Sequence, residues 1–152
     1  MGYPDIFNTN TTEALIARVE QLTPENQPLW GKMTVDQMLA HCSLAYEYNN
    51  GQRQTKIPAF MKWLLKGMMR RVIAGERPYK KNSPTASYFK VGDTAVFTVE
   101  KDRLLQNIRS YQEAGAADAT GRPHAWLGKM SAEDWSVTMF KHIDHHLTQF
   151  GV

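Results

Sequence analysis

The sequence predicts an all-α protein: a four-helix bundle with an additional short N-terminal or connecting helix. Three observations predict it. Every strong hydrophobic periodicity in the 152 residues is helical, with apolar residues returning at three and four positions. Two helix entries carry Ser/Thr capping patterns. The connections are short enough for antiparallel neighbours, and amphipathic helices must bury their stripes against one another.

The first helix is expected over residues 11–22, TTEALIARVEQL, where Leu15, Ile16, Val19 and Leu22 share a face and Thr11 or Thr12 caps the start. A loop with two prolines follows, TPENQPLWG. The second helix opens at Thr34, because Thr34-x-x-Gln37 has capping-box form. Its Val35, Met38, Leu39, Cys42, Ala45 and Tyr46 keep helical spacing, and Asn49, Asn50 and Gly51 end it. The third helix is expected over about 58–74, PAFMKWLLKGMMRRVIA, stopped by Gly75 and Pro78. Residues 76–97 read as loop, with faint strand character in SYFKV and TAVFTV. The fourth helix runs from near Thr98 to about Gly115 on a stripe of Val99, Leu104, Leu105, Ile108 and Tyr111. The last opens at Ser131, with Ser131-x-x-Asp134 as its cap, and carries Trp135, Met139, Phe140, Ile143, Leu147 and Phe150. WGKMTVDQMLAH and WLGKMSAEDW echo one another as two similar helix entries, too few for a repeat protein.

Composition sets the class. A chain of 152 residues, 42% hydrophobic and 22% charged, suits one domain, 1–152, with a single core. A net charge of +3 allows weak attraction to anions without demanding nucleic acid. Cys42 is the one cysteine, so no intrachain disulfide forms, which fits a reducing compartment. The N-terminal stretch lacks the basic and apolar regions of a signal peptide. No run reaches the roughly 18 apolar residues of a membrane span. The expectation is a cytoplasmic protein.

The chemistry concentrates in KHIDHHLTQF, residues 141–150, which holds three of the five histidines. On a helix His142 and His146 lie one turn apart on one face, and Gln149 stays on that face. Ile143, Leu147 and Phe150 occupy the adjoining face, so the stripe borders the core. Two such imidazoles can grip one divalent cation, or can simply be packed or solvated. His41 changes the weighing. Met38, Cys42 and Ala45 surround it at helical spacing, so it also faces inward, and a buried imidazole needs partners. Three inward histidines from two helices can satisfy one another through a metal, leaving coordination positions open as catalytic sites do.

His41 at the end of W-x-x-M-x-x-x-x-x-x-x-H, followed a hundred residues later by H-x-x-x-H-x-x-Q, resembles the DinB/YfiT superfamily of metalloenzymes. HAWLGKMSAEDWSVTMFKHIDHHLTQFG is most similar to a branch of that superfamily without assigned function. The resemblance covers nearly the whole chain and is strongest at 30–42 and 122–151. It implies a four-helix bundle with a divalent metal on His41, His142 and His146, Gln149 matching the glutamine after the histidine pair. Zinc or nickel is implied first, iron or manganese next. Relatives include thiol-dependent transferases and isomerases that use low-molecular-weight thiols, and metal-dependent hydrolases. The resemblance therefore implies a small-molecule substrate, with a thiol as co-substrate, and metal-activated attack by water or thiol. Gln149 either orients a ligand or bonds to bound water, or is only a polar residue at a helix end.

Other residues carry two readings each. His145 is an alternative ligand, a general base, or an exposed flanking side chain. His124 packs near the site or is structural. Asp144 points to solvent, and Cys42 is a small buried apolar residue rather than a ligand. One of Tyr46, Glu47 and Tyr48 faces the pocket. Trp30, Trp63, Trp126 and Trp135 are core or rim aromatics. Lys62, Lys66 and Arg70 form a basic line that is either a solvated face or an anion-binding stripe. The apolar content of 58–74 makes a homodimer an option.

Overall fold

The helical stripes become five α-helices in the structure, a computed structural model that describes residues 2–152. They are α1 (Thr9–Glu20), α2 (Val35–Asn49), α3 (Ala59–Ile73), α4 (Phe97–Thr120) and α5 (Ala132–Gln149). One turn of 3₁₀ helix, Ser87–Phe89, lies between α3 and α4. Among the described residues there is no β-strand.

The entries follow capping chemistry. At α2 the hydroxyl of Thr34 accepts from the Gln37 amide (3.4 Å), and the Gln37 side chain accepts from the Thr34 amide (3.0 Å). This is the capping box that the sequence predicts. At α5 the Ser131 hydroxyl accepts from the Asp134 amide at 3.1 Å. α1 starts earlier than expected, because Asn8 is its cap and accepts from the Asn10 amide at 2.9 Å. Thr12, one of the expected caps, is buried and donates to the Ile6 carbonyl at 3.0 Å.

Two expectations between α3 and α5 are corrected. SYFKV forms the 3₁₀ turn, and the end of TAVFTV enters α4, since a short strand with no neighbour has nothing to pair with. α4 also continues to Thr120. Gly115 breaks its backbone at φ 79°, ψ 177°, a conformation open to glycine, and the helix then resumes.

α2 shares its broadest contact with α4; α5 packs against both, and α1 packs against α4 and α5. The buried residues of α2 fall on several faces. The core joins Leu15, Ile16 and Val19 of α1 to Met38, Leu39 and Tyr46 of α2. Leu104 and Ile108 of α4 and Trp135, Met139, Ile143 and Leu147 of α5 complete it. Each such side chain contributes roughly 1.5–3 kcal/mol on burial. Val99 does not join this stripe; it is 59% exposed in the first turn of α4.

α3 stands apart. It buries no residue of its own, and only Met69 and Ile73 pack against the edge of the core. Trp63, expected in core or rim, is 82% exposed. Lys141 of α5 holds the far end of α3. Its buried ammonium donates to the carbonyls of Val72 (2.8 Å) and Gly75 (2.6 Å), capping the helix where carbonyls lack partners. Burial lowers its pKa to about 8. Among the described residues no helix is long and apolar enough to cross a membrane.

Candidate metal centre

α2 presents His41 inward, and α5 presents His142 and His146 one turn apart. Across the helix contact the three side chains converge, with one ring nitrogen from each within 4.8 Å of the others. His41 is 5% exposed and the other two are half-buried. The Nε2 atoms of His41 and His142 lie 3.1 Å apart. Metal–imidazole bonds of about 2.0–2.1 Å put neighbouring ligand nitrogens roughly 3.0–3.4 Å apart, so this spacing suits two ligands of one cation.

Hydrogen bonds set the tautomers. His41 Nδ1 sits 3.0 Å from the Phe89 carbonyl, which can only accept. The proton is therefore on Nδ1, and Nε2 offers its lone pair to the centre. Gln149 does the same for His146. Its Nε2 donates to the Trp30 carbonyl at 2.7 Å, which fixes the amide and turns its oxygen toward His146 Nδ1 at 2.9 Å. His146 Nδ1 thus carries the proton and its Nε2 is bare. Without a cation, His142 must place a proton on Nε2 to bridge to His41; a cation replaces that proton.

Burial keeps these rings neutral. It lowers the pKa of His41, partly countered by the Phe89 hydrogen bond and reinforced by His145. Burial also lowers His142 well below the usual value, with His146, His41 and His145 adding to it. Burial and then His41 bring His146 down to about 3, although its bond to Gln149 opposes this. Neutral imidazole is the metal-binding form.

The loop before α2 locks the Gln149 bridge. The Leu29 amide donates to the Gln149 carbonyl at 2.8 Å, alongside the side-chain bond to Trp30. Gly31 follows at φ +85°, and a Cβ there would lie 2.9 Å from Gln149 Nε2. Glycine meets both demands at once. Gln149→Ala is expected to weaken metal binding roughly 10–100-fold, as loss of a ligand-orienting partner does. Competition titration against a chromophoric chelator measures it.

The trio opens onto a cavity of about 580 Å³. Trp30, Tyr48, Tyr79, Tyr88, Phe89 and Trp126 give it aromatic walls, and Met69 and Ile73 of α3 close one side. Among the described residues no carboxylate lines it, and Lys32 is its one formally charged residue.

The other sequence candidates separate here. His145 does not join the trio. It is half-buried on the cavity wall, edge-on to Trp30 and Tyr79, rather than simply exposed. Burial lowers its pKa, and Asp144 raises it in part. Asp144 itself pairs with Arg18 at 2.7 Å. His124 lines the cavity and also holds its own loop, with Nδ1 accepting from the amides of Trp126 (3.2 Å) and Leu127 (3.3 Å). Of the residues after His41, Tyr48 faces the cavity, Tyr46 is buried in the core, and Glu47 is bound by Arg103 and Arg53. Cys42 is fully buried in the core. Sequence reasoning missed the Phe89 carbonyl, which no side-chain pattern could reveal. It also missed Tyr79 and Tyr88; the aromatic content of 76–97 was the available signal.

The chain matches, over residues 6–151, the family described as Protein of unknown function (DUF1569). It belongs to the DUF1569 family. No curated protein and no solved structure matches the chain. In this DUF1569 protein, then, the candidate site stands on its own geometry: three neutral imidazoles, two of them with their outer nitrogens already engaged.

Proposed function

We propose that this DUF1569 protein is a single-domain, metal-dependent enzyme of the DinB-like type, acting on a small molecule. In this reading α1, α2, α4 and α5 are the four-helix bundle and α3 is its connecting helix. His41, His142 and His146 are the metal ligands, and Gln149 is the positioning residue for His146. The observation that carries the reading is the paired polarity of the trio. His41 and His146 spend their Nδ1 protons on Phe89 and Gln149 and turn bare Nε2 atoms toward one point. Purely structural histidines have no need of that shared direction.

Imidazole donors suit zinc, nickel or iron, whereas manganese favours oxygen ligands, which the cavity's side chains do not supply as carboxylate. Zinc or nickel is the first choice. A cation held there supplies Lewis acidity, which lowers the pKa of a water or thiol toward neutrality. The chain's residues do the rest. The histidines leave positions open on the cavity side, and the aromatic walls hold an apolar or aromatic substrate and exclude bulk water. His145 makes no hydrogen bond among the described residues and is kept neutral by partial burial, so it accepts the nucleophile's proton at a ring nitrogen.

Thiol transfer is the preferred reaction and hydrolysis the alternative. Cobalt(II)-loaded protein separates them without turnover. A small thiol added to it should give a new near-ultraviolet sulfur-to-metal band, and this is the expected result. Spectral change with azide but not thiol would favour hydrolysis. No change with either would mean a closed metal and would overturn the enzymatic reading.

A further inference from the structure

Among the described residues eight large hydrophobic side chains are conspicuously exposed, and five of them belong to α3: Phe60, Trp63, Leu64, Met68 and Val72. Their exposure runs from 47% at Val72 to 82% at Trp63. At about 100° per residue they cover one arc of the helix, while Met69 and Ile73 on the opposite side meet the core and the cavity. α3 thus turns its more apolar surface outward. Lys66 and Arg70 lie along the Trp63 border of the arc, Lys62 falls on the inward side near Met69 and Ile73, and Arg71 projects from within the arc.

Along this segment of chain the charge has one sign as far as Gly75, before Glu76. From residue 51 to 75 the chain carries Arg53, Lys56, Lys62, Lys66, Arg70 and Arg71 and no acidic residue. Arg53 is engaged by Glu47 and Arg70 by Asp134, but Lys56, Lys62, Lys66 and Arg71 make no ion pair among the described residues. A second copy of this face would bring cations against cations, Arg71 among them. An anionic apolar surface answers both features. A helix with Trp, Phe and Leu on one face and Lys and Arg at its border has the composition that lies in a lipid headgroup layer. The long basic stems pack along apolar surface while their heads reach phosphates.

We infer that the outer face of α3 docks this protein on anionic membrane surfaces, with Phe60, Trp63, Leu64 and Met68 entering the headgroup boundary and Lys66 and Arg71 contacting lipid phosphates. This binding does not depend on the histidine site.

Co-sedimentation with unilamellar vesicles of phosphatidylcholine containing 30 mol% phosphatidylserine tests it. The wild-type chain is expected in the pellet at low salt, released as salt rises, and absent from the pellet with phosphatidylcholine alone. Lys66→Gln/Arg71→Gln should weaken partitioning roughly 25-fold, at about fivefold per cation. Trp63→Glu should abolish it, and because Trp63 packs into no core the variant should keep the wild-type melting temperature. No pelleting of the wild type at low salt would overturn the inference. So would undiminished binding by Trp63→Glu, which would place the contact elsewhere. Sedimentation velocity in the absence of lipid distinguishes a second copy: a dimer abolished by Trp63→Glu, with no vesicle binding, would assign the face to self-association instead.

Discussion

Replacing His142 by alanine is expected to lower zinc or nickel affinity by more than a hundredfold and to erase metal-dependent stabilisation. The wild-type chain, with free metal at about a hundred times its dissociation constant, should gain roughly 2.7 kcal/mol. For a chain of this size that is a rise of about 5–11 °C in melting temperature. The variant loses one of the three proposed ligands and also the bridge to His41 at 3.1 Å. Its melting temperature should be the same with and without metal. The metal-free variant should remain folded, because the histidines sit at the cavity edge while Ile143 and Leu147 hold α5 in the core. Scanning calorimetry of both proteins, each with and without metal, checks this. A full metal-induced shift in His142→Ala would remove His142 from the site.

Acid should destabilise the metal-free protein well before its carboxylates are titrated. The folded pKa of His146 is lowered to about 3 and that of His124 to about 4, in both cases first by burial. In the unfolded chain both titrate near the ordinary value of about 6.5. Between those limits the unfolded state binds more protons, so stability rises with pH. The stabilisation is therefore complete above about pH 6.5 and is lost as pH falls toward 4 and then 3. From pH 7.5 to 4.5 each of the two groups forfeits roughly 2–3 kcal/mol, at 1.36 kcal/mol per pH unit below the unfolded pKa. Together that is a large share of a typical total of about 5–15 kcal/mol. His124 adds a local reason: protonating Nδ1 would turn an acceptor for two backbone amides into a donor. Urea denaturation at a series of pH values measures the slope. A flat profile between pH 7.5 and 4.5 would contradict neutral, buried imidazoles.

The sequence makes the long elements legible because their signals are local. Thr34 and Gln37 name each other, and the Leu15–Val19 and Ile143–Leu147 stripes point to one core. The convergence of the three histidines was also readable, since His142 and His146 share a face by spacing alone and His41 lies among residues that must be buried. What was hidden is what depends on neighbours. The tautomer of His41 is set by a carbonyl 48 residues away, and that of His146 by an amide fixed against Trp30. Val99 obeys the α4 period yet finds no neighbour at the helix start, so it stays exposed. α3 has an apolar pattern comparable to those of the core helices, but pattern does not say which side meets the protein. Only the structure shows most of its apolar arc facing out. His145 sits one residue from His146, and spacing alone could not tell a cavity wall from solvent.

The most direct test is the metal content of protein purified without a histidine tag, measured by mass spectrometry of the elements for the wild type and His146→Ala. The account predicts close to one equivalent of a divalent transition metal in the wild type, zinc or nickel first, and almost none in His146→Ala. No metal in the wild type, even after incubation with zinc, nickel, iron and manganese, would contradict it, as would equal metal in the two proteins.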